Sequence, residues 1–355
     1  MTDNIFDRLA DLLRSSGPVN WRLAREIAES IAGPAEPIEP ALDEEYRELA
    51  ATAARLIDQH SPLDPAAAGP APNVTDRRGW ASANIESLAY LAEPLAEKLA
   101  SDPGSPLQPL GPALLGMQMG ATIGFTAQTV LGQFDVGLPA QMPRGPLLVV
   151  TNVEEFAAQP ELDARETRLW VALHEVAHHA AFAVPWVREH LLMLAHTYVE
   201  GLEFDTEGIE RRIEALQDPE ALQQMMNEPT GVAGLLTPED DGVTAGRIRG
   251  LLAVAEGFAE HVIRRAAGPL LPTTPALIGA IDRRRAEPSQ GEQLLLQATA
   301  LDLRHAGYRR GDDFCGEVAR RWGEAALDRI WEGPEMVPDE AELTDPVGWA
   351  ARVLL

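Results

Sequence analysis

The sequence predicts a mainly α-helical protein with a minimal β-sheet. Three observations carry that prediction. Apolar residues recur at three- and four-residue spacing along most of the 355-residue chain, which is the period of an amphipathic helix. Hydrophobic residues make up 45 % of the sequence, enough for a substantial core. Strand signals are few. Leu147-Leu148-Val149-Val150, bounded by Pro146 and Asn152, is the best of them, and Val130 to Leu138 is a second short candidate.

The elements follow in order. An Ile5/Leu9/Leu12/Leu13 stripe marks a helix near the start. Gly17-Pro18 makes a turn, and Asn20 then offers an N-cap for a helix from Trp21 to Ile31. A second helix covers Leu42 to Gln59, and the Pro- and Ala-rich stretch from Ser61 to Asn73 reads as a loop. Trp80 to Leu99 reads as one helix. Asp163, with Glu166 three positions on, resembles a capping box opening a helix that runs to Phe182 and stops before Pro185. Leu169, Leu173, Val176, Ala177 and Ala180 form its apolar face. The polar, acidic stretch from Asp205 to Gly242 reads as a surface excursion. Helices then cover Ala245 to Ala267, Glu292 to His305 and Phe314 to Ile330, and the tail from Trp331 to Pro346 is acidic and Pro-rich. We divide the chain into an N-terminal helical subdomain, residues 1–100, and a metal-binding core, residues 101–355, packed together as one unit.

Charge and cysteine usage exclude several classes of function. The formal net charge is −26, whereas a nucleic-acid partner requires clustered Lys and Arg. The lone cysteine, Cys315, permits neither an internal disulfide nor a thiolate zinc cage. The first residues lack the basic start and apolar run of a signal peptide, so a cytoplasmic protein is expected. Pro103 to Phe134 carries no charge and contains Gly116, Gly120 and Gly124 in a repeated GxxxG pattern. In lipid this would suggest helix pairing. Four glutamines, Pro109 and Pro112 interrupt it, so the expectation is a buried helix packed closely through its glycines rather than a membrane span.

The chemistry centres on His174-Glu175-Val176-Ala177-His178. Residues four apart share one helix face, so both imidazoles can reach a single zinc ion. Glu175 is rotated about 100° from His174 and can act as catalytic base towards a zinc-bound water. A catalytic zinc needs a third protein ligand. The positions where a metzincin has Gly and a third His are here Ala181 and Val184, which excludes that class. Two acidic clusters remain, one with Glu200 and Glu203 and one with Glu256 and Glu260. Glu256 is preferred because it sits beside the apolar stripe of Ile248, Leu251, Leu252, Ala255, Ala259 and Val262, where a buried carboxylate wants a partner. Glu260, one turn later, could orient a ligating imidazole. Glu203 with Glu207 lies in a polar stretch and reads as a solvated face. Tyr198, His196 and His261 are the candidates for stabilising an oxyanion, and His179 points away from the pair.

With these residues in view the chain resembles the zincin-like metallopeptidases, specifically an actinobacterial family grouped with hydrolases and associated with deazaflavin-coenzyme biosynthesis. The resemblance spans nearly the whole chain. It rests on Gly17-Pro18-Val19-Asn20-Trp21, Val130-Leu131-Gly132-Gln133-Phe134-Asp135, and Leu169 to Leu173 leading into the HEVAH motif. Val184-Pro185-Trp186, Glu256-Gly257-Phe258-Ala259-Glu260-His261 and Pro346-Val347-Gly348-Trp349 complete it. It implies a mostly helical zincin fold. The Glu-Gly-Phe-Ala portion is also similar to the third-ligand helix of aminopeptidase-type gluzincins, where the Glu binds zinc, with a much longer spacing here. The expected function is cleavage of a peptide or small amide substrate, with His174, His178 and Glu256 on zinc. The alternative is a zinc-stabilised binding or scaffold protein without turnover. The Leu147–Val150 strand is expected to offer an edge to an extended substrate.

Overall fold

The computed structural model describes residues 17–69, 72–85, 87, 89–100, 111–135, 145–204, 236–238, 242–299 and 306–355. The N-terminal stripe from Ile5 to Leu13 and most of the Asp205–Gly242 excursion lie outside the described residues. Helix dominates what is described, as the periodicity predicts. Helix α1 (Trp21–Ala32) begins where the Asn20 side chain accepts from Leu23 N at 3.0 Å. Helix α2 (Pro40–His60) opens with a proline in its first turn, where the missing N–H costs nothing.

The Trp80–Leu99 helix is in fact two, α3 (Arg77–Asn84) and α4 (Ala89–Ala100). The break has a local cause. Asn84 Nδ2 donates to Trp80 O at 2.9 Å and Ser87 Oγ to Ala83 O at 2.9 Å. Ala83 O is the carbonyl that Ser87 N would use in a continuing helix, and at Trp80 O the Asn84 side chain competes with the last backbone N–H of α3.

The uncharged stretch contains α5 (Gly111–Ala127), a buried helix lying across α1. A Cβ on Gly116 would stand 2.5 Å from Asn20 O, and one on Gly120 would stand 2.6 Å from Ala24 O. The glycines therefore permit the close approach of α1. Among the described residues no helix is long and apolar enough to cross a membrane.

Strand content is small. Strand β1 (Asn73–Thr75) pairs in parallel with β2 (Leu147–Val149), in the register Asn73–Leu147, Val74–Leu148, Thr75–Val149. The second candidate strand contributes a single antiparallel bridge, Gly132 to Leu148, and its residues 136–138 lie outside the described set. Gln133 N donates to Leu147 O and Val149 N to Leu131 O, each at 2.9 Å. Both sides of β2 are thus occupied, which corrects the expectation that it offers a free edge to substrate.

Val150 opens α6 (Val150–Ala157) rather than ending the strand. Helices α7 (Ala164–Ala183) and α8 (Pro185–Glu200) follow, and a short antiparallel pair links β3 (Leu202–Phe204) to β4 (Leu236–Pro238). Helix α9 (Val243–Ala267) is followed by α10 (Thr274–Ala286), α11 (Gln290–Thr299) and α12 (Ala306–Trp322). The helix expected from Phe314 to Ile330 ends at Gly323, whose φ of 88° is the left-handed stop. Short α13 (Glu324–Asp328) and α14 (Pro346–Val353) close the chain. Helix α7 lies at the centre, packed by α2, α6, α8, α9 and β2. That surrounding explains why burial extends beyond the predicted apolar face to Trp170, Val171, Ala172 and Ala181.

Candidate metal centre

The site is built outward from α7. Asp163 caps the helix, its Oδ1 accepting from Glu166 N at 2.9 Å. The capping box is only half made. Glu166 Oε2 accepts instead from Thr273 N at 2.8 Å and from Thr273 Oγ1 at 2.6 Å, which ties the start of α7 to the start of α10. Four residues apart on α7, His174 and His178 stand one above the other, with ring centroids 4.4 Å apart. Trp170 stacks on His174, and Phe134 and Phe182 flank His178, so aromatic packing fixes both rings.

Helix α9 brings Glu256 to the same point. His174 Nε2 lies 3.3 Å from Glu256 Oε1, and His178 Nε2 lies 2.9 Å from Glu256 Oε2. One ligand atom from each of the three residues lies within 4.8 Å of the others, and all three side chains are buried. Gly257 gives α9 the clearance it needs here, since a Cβ on it would stand 2.1 Å from Gly311 of α12. Of the rival carboxylates, Glu200 is exposed at the end of α8, facing His196 at 3.5 Å, and Glu203 lies in β3.

The donor set fits a divalent ion. Bonds of about 2.1 Å to a tetrahedral ion put neighbouring ligand atoms about 3.4 Å apart, close to the 3.3 Å between His174 Nε2 and Glu256 Oε1. The His178 and Glu256 atoms approach without the geometry of a hydrogen bond, and His178 Nδ1 is buried with no hydrogen-bond partner among the described residues. Two imidazoles and a carboxylate, with no thiolate, suit zinc or a similar transition ion.

Glu175 occupies its own cradle. Its carboxylate accepts from Phe134 N at 3.0 Å and lies 3.4 Å from His174 Nδ1. A Cβ on Gly132 would stand 2.3 Å from the Glu175 carboxyl carbon, so only glycine leaves room for it. The Gly132–Phe134 segment is held from behind. Trp80 Nε1 donates to Gly132 O at 3.2 Å, and Gln133 Nε2 donates to Asn84 Oδ1 at 2.8 Å. The polar corner around Trp80 and Asn84 is therefore the back wall of the Glu175 cradle.

Arg285 is the functional side chain that sequence reasoning passed over. Its Nη2 donates to Glu256 Oε1, and its Nη1 lies 3.5 Å from Glu260 Oε1. Glu260 thus faces a guanidinium rather than orienting an imidazole, and it is Glu175 that lies beside a ring nitrogen. A signal existed: Leu277, Ile281 and Arg285 recur every four residues, which puts the arginine on the buried stripe of α10. The other candidates lie elsewhere. His261 faces Glu324 at 3.0 Å, His196 is exposed beside Glu200, and Tyr198 is buried in α8.

Burial and charge shape the proton affinities. Burial opposes charge on His174, but Glu256 and Glu175 outweigh it and push the imidazole up to about 10. Burial and the neighbouring His174 lower His178. Burial tends to raise Glu256, yet Arg285, His174 and His178 hold it well below the usual carboxylate range. Burial raises Glu175, and His174 only partly offsets it.

No curated protein matches the chain. A crystal structure from Chloroflexus aurantiacus, described as a hydrolase candidate with a novel fold, is 26 % identical, with a TM-score of 0.69 over 94 % of this chain and 98 % of that one. A family described as zincin-like metallopeptidase matches residues 19–350, and the chain belongs to that family.

Proposed function

We propose that the protein is a zinc-dependent hydrolase that cleaves a peptide or amide bond, with His174, His178 and Glu256 holding the ion and Glu175 serving as general base. The observation that carries this reading is the convergence of two imidazoles and one carboxylate, all buried, on one point beside a second buried carboxylate. A bound divalent ion would polarise a carbonyl and acidify water there. The protein's own part is positional and protonic. Aromatic stacking fixes the imidazoles. The Gly132–Phe134 segment fixes Glu175, and burial raises the proton affinity of its carboxylate, as a base working near neutrality requires. The substrate is a peptide or small amide, in keeping with the family.

One observation favours a zinc-stabilised binding or scaffold protein: His174, Glu175, His178 and Glu256 are each at most 3 % exposed, so the centre is closed to bulk water as it stands. The Glu175→Gln variant separates the two readings. Retained zinc with activity on a peptide library abolished supports the hydrolase. Wild-type protein with a full complement of zinc and no turnover of any peptide or amide supports the scaffold.

A further inference from the structure

The two carboxylate oxygens of Glu256 keep different company. Oε1 and Oε2 lie 3.3 and 3.4 Å from His174 Nε2, so distance to that imidazole does not choose between them. Their other neighbours do. Oε1 accepts from Arg285 Nη2, whereas Oε2 lies 2.9 Å from His178 Nε2. The guanidinium is fixed where it stands. The Arg285 side chain is only 12 % exposed, so water competes weakly for its hydrogen bond. Its Nη1 lies 3.5 Å from Glu260 Oε1, and it has a further partner within the protein besides these two carboxylates. Its helix is tied down at both ends. Thr273, at the start of α10, donates to Glu166 of α7. Near the other end Arg283 donates to Glu161 at 2.6 Å, and Arg284 Nη1 donates to Asp135 at 3.0 Å.

We propose that Arg285 is a positioning residue that restricts Glu256 to binding the metal ion through Oε2 alone. His174 Nε2, His178 Nε2 and Glu256 Oε2 then hold the ion, and one position of its coordination shell is left to water. This rests on the metal-centre reading above, and it supplies the open position that separates a catalytic site from a structural one. The physical reason is electrostatic. A charge-assisted hydrogen bond engages Oε1. A dication on that same oxygen would stand against the guanidinium charge. Oε2 carries no such penalty and already faces both imidazoles. Carboxylates bind metal ions through one oxygen or through two. With the guanidinium removed, Glu256 can turn both oxygens to the ion, and the second oxygen takes the place that water needs.

The test loads the protein with cobalt(II) in place of zinc, because the visible absorption of cobalt weakens as its coordination rises from four to five. Metal per chain is measured on every sample by elemental analysis. Wild type should give the strong band of a four-coordinate ion. Arg285→Met keeps an unbranched side chain and removes the donor. It should hold about one metal per chain while the band weakens about twofold or more. A five-coordinate band in wild type, an unchanged band in Arg285→Met, or loss of metal from Arg285→Met overturns the proposal. Should Arg285→Met fail to fold, Arg285→Gln takes its place: it removes the charge, the band should weaken in the same way, and an unchanged band overturns the assignment. Wild type that takes up neither cobalt nor zinc defeats the metal-centre reading itself, a result distinct from a failure of Arg285.

Discussion

Gly132 and Glu175 constrain each other tightly. Adding a methyl group at position 132 forces the glutamate out of its cradle, because the new atom would fall inside the carboxyl group. Gly132→Ala should therefore destabilise the fold by about 1–3 kcal/mol, read from the urea midpoint. It should also lower any hydrolytic activity without removing zinc. Glu175→Gln keeps the shape of the side chain but not its basicity, and activity should fall by about 10²–10⁴-fold while zinc content is unchanged. Glu256→Ala should remove the third donor and bring zinc from about one per chain to well below half, by elemental analysis. Glu203→Ala should leave it alone, and loss of zinc from that variant instead would move the ligand to the earlier cluster. At this scale much was legible in the sequence. Four-residue spacing on a helix puts His174 and His178 together whatever the fold, and a carboxylate beside an apolar stripe marks Glu256. Arg285 was not legible in the same way, because its helix lies between Pro272 and Pro288 and contains Gly279, which disguise the periodicity. The cradle of Glu175 depends on a loop contact, Phe134 N, that no local pattern encodes.

Among elements, the crossing of α1 and α5 depends most directly on sequence. Gly116, Gly120 and Gly124 recur every four residues and face Asn20, Ala24 and Ala28 of α1. Gly120→Leu should push the helices apart and cost about 3 kcal/mol or more, measured as a shift in the denaturation midpoint with unchanged cooperativity. An equal stability of variant and wild type would mean that the two helices do not meet here. The glycine spacing revealed the close packing but not the partner helix. The same limit explains two misread elements. Trp80 to Leu99 has helical periodicity throughout, yet Asn84 and Ser87 take the carbonyls that would carry the helix onward. Leu147–Val149 reads correctly as a strand, but its neighbours on both sides come from distant segments, so its lack of a free edge is a tertiary fact.

For the whole molecule, the half-buried Asp135–Arg284 pair joins the cradle loop to α10. Burial works against the Asp135 charge, but Arg284 and Leu131 N outweigh it and hold the carboxyl below its usual range. A group whose folded-state affinity for protons is depressed stabilises the protein above its unfolded pKa, about 3.9 for Asp, and loses that contribution as pH falls through the lower folded value. Arg284→Ala should therefore cost about 1–3 kcal/mol near pH 7. The gap between variant and wild type should narrow as pH falls, first as the variant's Asp135, left with burial and without its guanidinium, takes up a proton, and then as the wild-type carboxyl does, as followed by urea denaturation across pH. On the proposed ligand set, zinc should add a further, removable increment. At a free concentration one hundred times its Kd it should stabilise the fold by about 2.7 kcal/mol, seen as a lower Tm after chelation. The composition announced a helical, acidic molecule, but the joining of its parts is spread over long intervals. His174 and Glu256 are 82 positions apart, and Arg285 comes 29 later. This separation sets the timing of biosynthesis. On the proposed ligand set, a nascent chain that has left the ribosome only as far as α7 offers two histidines and no third donor. Metal is then acquired only once α9 has emerged, and fragments that end before Glu256 lack the third donor.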